Sequence, residues 1–227
     1  MTEARIGRLL AACLHQAISD LVPMRLEFYE VWLRSEGMRD GSIGLAPMTA
    51  VLGFLRTEPE YHEIVTRAGQ LAAQWTIDSM TPIRRRAIAW LPPALRARAV
   101  LRLSMGIVRH VCSSSRTSMK LKRGRAVVEV KRSLFCMVRN PQQQPMCRFY
   151  TASTVAALEL FGLPAAATIE RCLAVDGSLC VMAVGLTEGR AGVGPREQTI
   201  NSPAEESESA SAAGRASGGG APRAPTK

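Results

Sequence analysis

The residues whose types and spacing carry the most chemistry are Cys147, Glu170, Cys172 and Cys180. Three thiolates and a carboxylate make a closed tetrahedral set that zinc accepts, with no coordination position left for water, so such a site is structural and not catalytic. Glu170 stands two residues before Cys172, and in a strand that period turns both side chains to one face. The bland alternative is open on the same residues. Free cysteine is among the most buried residue types, and three buried thiols beside an exposed Glu170 need no metal. The set also lacks the compact C-x-x-C pair of the usual zinc sites.

The elements that must position these residues follow from hydrophobic period. Asp176-Gly177-Ser178 between apolar runs at 167–174 and 179–186 is a hairpin signal, which puts Cys172 and Cys180 on its two arms. Residues 147–161 carry apolar side chains at helical spacing and stop at Gly162 and Pro164, so Cys147 opens a helix that packs on that sheet. Upstream, 119–122 and 125–131 around Gly124 read as another hairpin, and 133–138 as a third strand, closed by Asn140-Pro141 and Pro145. The first half is helical: 5–21, 24–35, 46–56, 60–80 and 93–111 show the i, i+3, i+4, i+7 pattern. Gly37 and Asp40-Gly41 mark a turn, and Pro82 and Pro93 suit first helical turns. Helices, strands, helix, strands is the order of an α+β domain with an antiparallel sheet of hairpins against a helical N-terminal half.

The stretch from Cys147-Arg-Phe-Tyr through an apolar helix to Ala167-Thr-Ile-Glu-Arg-Cys172-Leu-Ala-Val-Asp-Gly177-Ser-Leu-Cys180-Val resembles the end of the 4-vinyl reductase domain family. That family belongs with the trappin-like ligand-binding domains shared by bacterial aromatic sensors, Golgi trafficking subunits and bacteriochlorophyll-synthesis accessory proteins. The resemblance is specific over about forty residues and loose in the helical half. It implies helices packed on an antiparallel sheet and a pocket for a small hydrophobic or aromatic ligand. It also implies, as in the aromatic sensors, a structural zinc on Cys147, Glu170, Cys172 and Cys180. In the sensors' pattern the glutamate stands three residues before its cysteine, not two. An accessory role in tetrapyrrole metabolism would rest on family analogy alone.

For such a pocket the polar and aromatic candidates are Tyr29, Trp32, His62, Trp75 and His110, although tryptophans at helical spacing are more often core. Residues 83–132 hold fourteen Lys or Arg against one acidic residue, Glu129. Arg98, Arg102, Arg109 and Arg116 read as a stripe on the helix after Pro93, with Val100, Leu103, Ile107 and Val111 turned away. A stripe of this kind suits an anionic membrane surface or an acidic protein partner, making an adaptor the alternative function, or it is a solvated face. No aromatic interleaving, finger spacing or helix-turn-helix accompanies the charge, so sequence-specific nucleic-acid reading has no support. No dinucleotide fingerprint, phosphate loop, nucleophile elbow or metalloprotease motif is present, which shifts the balance from enzyme to binding module.

The bulk numbers agree with one core. Hydrophobic residues make up 47% of 227, aromatic residues only 5%, so aliphatic side chains must fill the interior. No apolar run reaches the length a spanning helix needs, and the first residues lack the apolar core of a secretory signal. A cytoplasmic location is expected, with all six cysteines reduced. Residues 1–187 form the expected single domain, mainly helical to 115; a homodimer is compatible with it. From Glu188 the chain turns to Gly, Ser, Ala, Pro and Glu, a composition that cannot repay the entropy of ordering, so 188–227 is an expected disordered tail.

Overall fold

The computed structural model describes residues 5–33, 42–122, 125–138, 141–175 and 177–186. The turns expected at Gly37, Asp40-Gly41 and Gly124, the residues Asn140 and Asp176, and the tail from 188 lie outside them. Among the described residues the helices are α1 (Arg8–Leu21), α2 (Leu26–Leu33), α3 (Leu45–Leu55), α4 (Tyr61–Asp78), α5 (Pro82–Ala89), α6 (Pro93–Val111) and α7 (Arg148–Leu160). A two-stranded ladder joins β1 (Arg5–Gly7) to β2 (Ser42–Gly44). The main sheet holds β3 (Arg116–Lys122), β4 (Arg125–Lys131), β5 (Ala165–Arg171) and β6 (Cys180–Leu186), antiparallel in the order β3-β4-β6-β5. The chain is α+β, with a helical N-terminal half and an antiparallel sheet.

The core forms where α4 packs between α1 and α7. Small residues on α4, Ala68, Gly69, Ala72 and Ala73, are buried at this contact and let the helix axes approach. A side chain at Gly69 would stand 2.5 Å from the carbonyl oxygen of Phe149, closer than non-bonded atoms tolerate. In β4 the buried positions alternate through Ala126, Val128 and Val130, while β6 is buried on both faces along Cys180–Val184. β6 therefore reads as a continuous apolar run, and its neighbour β4 as an alternating one. Gly162, at φ +70, ends α7: its N–H donates to Glu159 and that of Leu163 to Leu158, the paired bonds of a left-handed helix stop.

Three expectations change. The third strand expected at 133–138 is instead a 3-10 turn over Leu134–Cys136, because Leu134, Phe135 and Cys136 are all buried and no alternation remains to build a half-buried strand. Arg5 and Ile6 pair with β2 and not with α1, since Gly7 caps that helix. Arg116 opens β3, five residues past the end of α6, so it is not part of that helix's stripe.

Candidate metal centre and ligand groove

Four buried cysteines converge: the sulfur atoms of Cys136, Cys147, Cys172 and Cys180 all lie within 4.8 Å of one another. Cys136 Sγ is 3.4 Å from both Cys172 Sγ and Cys180 Sγ, and Cys147 Sγ is 3.7 Å from Cys172 Sγ. These are not disulfide distances; all six cysteines are free thiols. A tetrahedron with zinc–sulfur bonds of about 2.3 Å has sulfur–sulfur edges of about 3.8 Å, close to what is observed. Among the described residues, no histidine or carboxylate joins the set.

Each thiol is delivered by a different segment. Cys136 ends the 3-10 turn after β4, Cys147 immediately precedes α7, Cys172 follows β5, and Cys180 opens β6 opposite Val130 of β4. Hydrogen bonds from the helical half fix the first two. Arg56 Nη2 donates to the carbonyl of Phe135 at 3.0 Å, and the Tyr61 hydroxyl donates to that of Met146 at 3.2 Å. The Gln142 amide donates to the carbonyl of Ala174 at 2.7 Å, tying the segment between Cys136 and Cys147 to the turn beyond Cys172. Behind the sulfurs, Phe135 stacks on Phe149 at 4.9 Å and both meet Tyr150 edge-on.

The local electrostatics favour thiolates only in part. Hydrogen bonding to Cys136 and Cys172, followed by burial, pushes the Cys147 thiol well above its ordinary range. Cys172 is held well below, because it accepts from Cys136 and Cys147 and from the backbone of Ala174. The Leu173 amide points at Cys180 Sγ at 3.5 Å, a bond that stabilises negative charge on sulfur. Without a cation, several thiolates at these distances repel. A divalent metal would let the four ionise together.

Three of the four residues nominated by the sequence are therefore brought together, and Glu170 is not. The β5–β6 register shifts between Ile169 and Arg171, so the period of two that would align Glu170 with Cys172 is broken there. Glu170 is exposed and ion-pairs with Arg125. Cys136 stands in its place. Its concealment came from the run Ser-Leu-Phe-Cys-Met-Val, which reads as a strand; the available signal was that four of the six cysteines fall between 136 and 180.

The five pocket candidates do not converge. Tyr29 is buried with its hydroxyl on Glu58 at 3.2 Å, and Trp32 lies partly exposed against Phe54. His62 is half-buried and held below its ordinary pKa by burial and by Arg148, while Trp75 packs against the core. His110 is exposed and bonds to the Gly106 carbonyl at 2.7 Å. It alone of the five lines a described groove, the largest of them at 830 Å³, between the C-terminal end of α4, α5 and α6. Met80, Ile88, Leu91 and Leu103 give that groove an apolar floor, and Arg84 and Arg102 stand on its rim. Arg98, Arg102 and Arg109 are exposed along α6, with Val100, Ile107 and Val111 buried behind them.

No protein-family model and no curated protein matches this sequence. Solved structures do match in fold. An H-NOX protein from K. algicida, in its Fe(II) unliganded form, superposes with a TM-score of 0.54 at 14% identity, covering 83% of this chain and 100% of that one. An H-NOX protein from S. oneidensis in the Fe(II)NO ligation state gives 0.53 at 10% identity, covering 80% and 99%. The phenol-responsive sensory domain of the transcription activator PoxR gives 0.45 at 10% identity over 63% and 75%, too low a score to add to the fold assignment. This chain has the α+β fold seen in the H-NOX structures.

Proposed function

We propose that the chain is a small-molecule-binding or sensing domain whose sheet is clamped to its helices by a structural zinc on Cys136, Cys147, Cys172 and Cys180. The convergence of four buried thiols supports the zinc reading. Four sulfur ligands suit zinc, and iron as well. The H-NOX structures hold iron, whereas in this chain His15 pairs with Glu30 and His110 with a backbone carbonyl. The thiol set is therefore the metal-binding constellation the described residues offer. It comprises Cys147, Cys172 and Cys180 of the 4-vinyl reductase-like stretch plus Cys136, and kinship with that family remains our reading of those residues.

The ligand reading rests on the groove between α4, α5 and α6. A volume of 830 Å³ lies within the range that holds small organic molecules, and an apolar floor with a few polar groups is what such a ligand requires. Arg84, Arg102 and His110 on the rim favour a hydrophobic or aromatic molecule carrying an anionic group. Likeness of fold to H-NOX proteins supports small-molecule binding by analogy only.

The test is a thermal-shift titration with decanoate and naphthoate, decanol serving as the uncharged control. A ligand at a hundred times its dissociation constant stabilises by about 2.7 kcal/mol, roughly 5–11 °C for a domain of this size. The acids should stabilise the wild type, less so Arg102→Ala, and not at all Leu103→Trp, which fills the floor. Equal responses in all three proteins, or none in the wild type, would remove the groove as the site.

A further inference from the structure

The surface formed by α5 and the start of α6 exposes apolar side chains that the fold does not use. Helix α5 has no buried residue. Ile83 is 82% exposed, Trp90 88% and Leu95 55%. Ile83 and Trp90 are seven residues apart, so on a helix of 3.6 residues per turn they fall within about 20° of one another on the same face. The turn at Trp90–Pro92 then brings the chain into α6, whose first turns carry Leu95 and Arg98.

The charge around these side chains is predominantly positive. Between Asp78 and Glu129 the sequence contains twelve Lys or Arg and no acidic residue. Arg84, Arg85, Arg86 and Arg98 are all exposed at this corner. Asp78 reaches Arg85 at 3.7 Å. Exposed Trp and branched aliphatic residues set among arginines match the interface of a lipid bilayer. The indole and alkyl groups enter the headgroup boundary, and the guanidinium groups meet lipid phosphates.

We infer that the α5–α6 corner, through Ile83, Trp90 and Leu95 flanked by Arg85, Arg86 and Arg98, docks the domain peripherally on anionic membrane surfaces. The docking is interfacial: no helix among the described residues is long and apolar enough to cross a membrane. The apolar side chains project from α5, the turn after it and the start of α6 and line none of the described grooves, a shape suited to insertion between headgroups more than to receiving a partner's side chain. This inference is independent of whether the adjoining groove holds a ligand.

Co-sedimentation of the full chain with vesicles tests it. Vesicles of 30% phosphatidylserine in phosphatidylcholine should bind the protein, pure phosphatidylcholine should bind it far less, and 0.5 M NaCl should weaken the association. Each arginine near an anionic surface contributes about fivefold in partitioning, so Arg85→Glu with Arg86→Glu should lower binding by at least about 25-fold. Trp90→Ala should lower it about tenfold. All three substitutions lie on exposed positions, and unchanged circular dichroism confirms that the variants fold. In the wild type, brominated lipid should quench a tryptophan signal that is missing from Trp90→Ala. Absence of wild-type binding to the anionic vesicles, or equal binding by Trp90→Ala, overturns the assignment. Selective retention on an acidic protein or a nucleic acid without vesicle binding would overturn it as well.

Discussion

At the scale of single residues, the thiol cluster separates two chemistries that look alike in sequence. A carboxylate ligand at Glu170 would require the strand's period of two to run on to Cys172, and the irregularity between Ile169 and Arg171 stops it. Glu170→Gln should therefore leave metal content unchanged and cost little stability, because it removes an exposed ion pair. Cys136→Ser should behave differently, losing the metal and about 4 kcal/mol or more, the class of effect that follows loss of a bound metal. In a domain of this size that is a fall of roughly 8–16 °C in Tm. A melt compared across the two variants reads this directly. Three of the four converging cysteines were legible from the hairpin and the helix that follow from local pattern. Cys136 was not, because a short buried turn and a buried strand give the same apolar run, and only the tertiary fold tells them apart.

Helices and strands raise a different question, namely what lets them approach. The helical half and the alternation of β4 were readable because their periods survive packing, whereas β1 and β2, of three residues each, are too short to show one. The contact between α4 and α7 depends on Gly69. Gly69→Val should drive the helices apart and cost about 1–3 kcal/mol, seen as a lower denaturant midpoint at nearly constant slope. On α2, burial raises the Tyr29 hydroxyl to about 12, with the Glu58 carboxylate adding to the effect. The unfolded chain releases that proton near 10 while the folded one retains it. The stabilisation is thus complete below pH 10 and is lost as pH rises through about 12. Urea titrations from pH 9 to 12 should show a shallower alkaline loss in Tyr29→Phe than in the wild type. An unchanged slope would mean that Tyr29 ionises as freely in the folded protein as in the unfolded one.

Across the whole molecule, the four thiols join the sheet half to the segments that α3 and α4 hold through Arg56 and Tyr61. Metal removal should therefore loosen the Cys136–Cys147 segment and the Cys172–Cys180 turn before α1 and α4. Hydrogen exchange should show faster amide exchange in those two segments after chelation, with the α1–α4 contact still protected. None of the four cysteines lines the α5–α6 groove, so decanoate-induced stabilisation should persist in the metal-free protein at a lower starting Tm. The charge asymmetry of 83–132 was plain in the sequence. Its division into a groove rim, an α6 stripe and the α5 corner needed the three-dimensional placement of Arg84, Arg102 and Trp90.

The most direct test of the zinc clamp is elemental analysis, with native mass spectrometry, of untagged wild-type protein alongside Cys136→Ser and Glu170→Gln. One zinc per chain in the wild type and in Glu170→Gln, with none in Cys136→Ser, is the result expected. Metal-free wild type would contradict the clamp and leave the four cysteines as core thiols. Zinc lost in Glu170→Gln and kept in Cys136→Ser would contradict the ligand set.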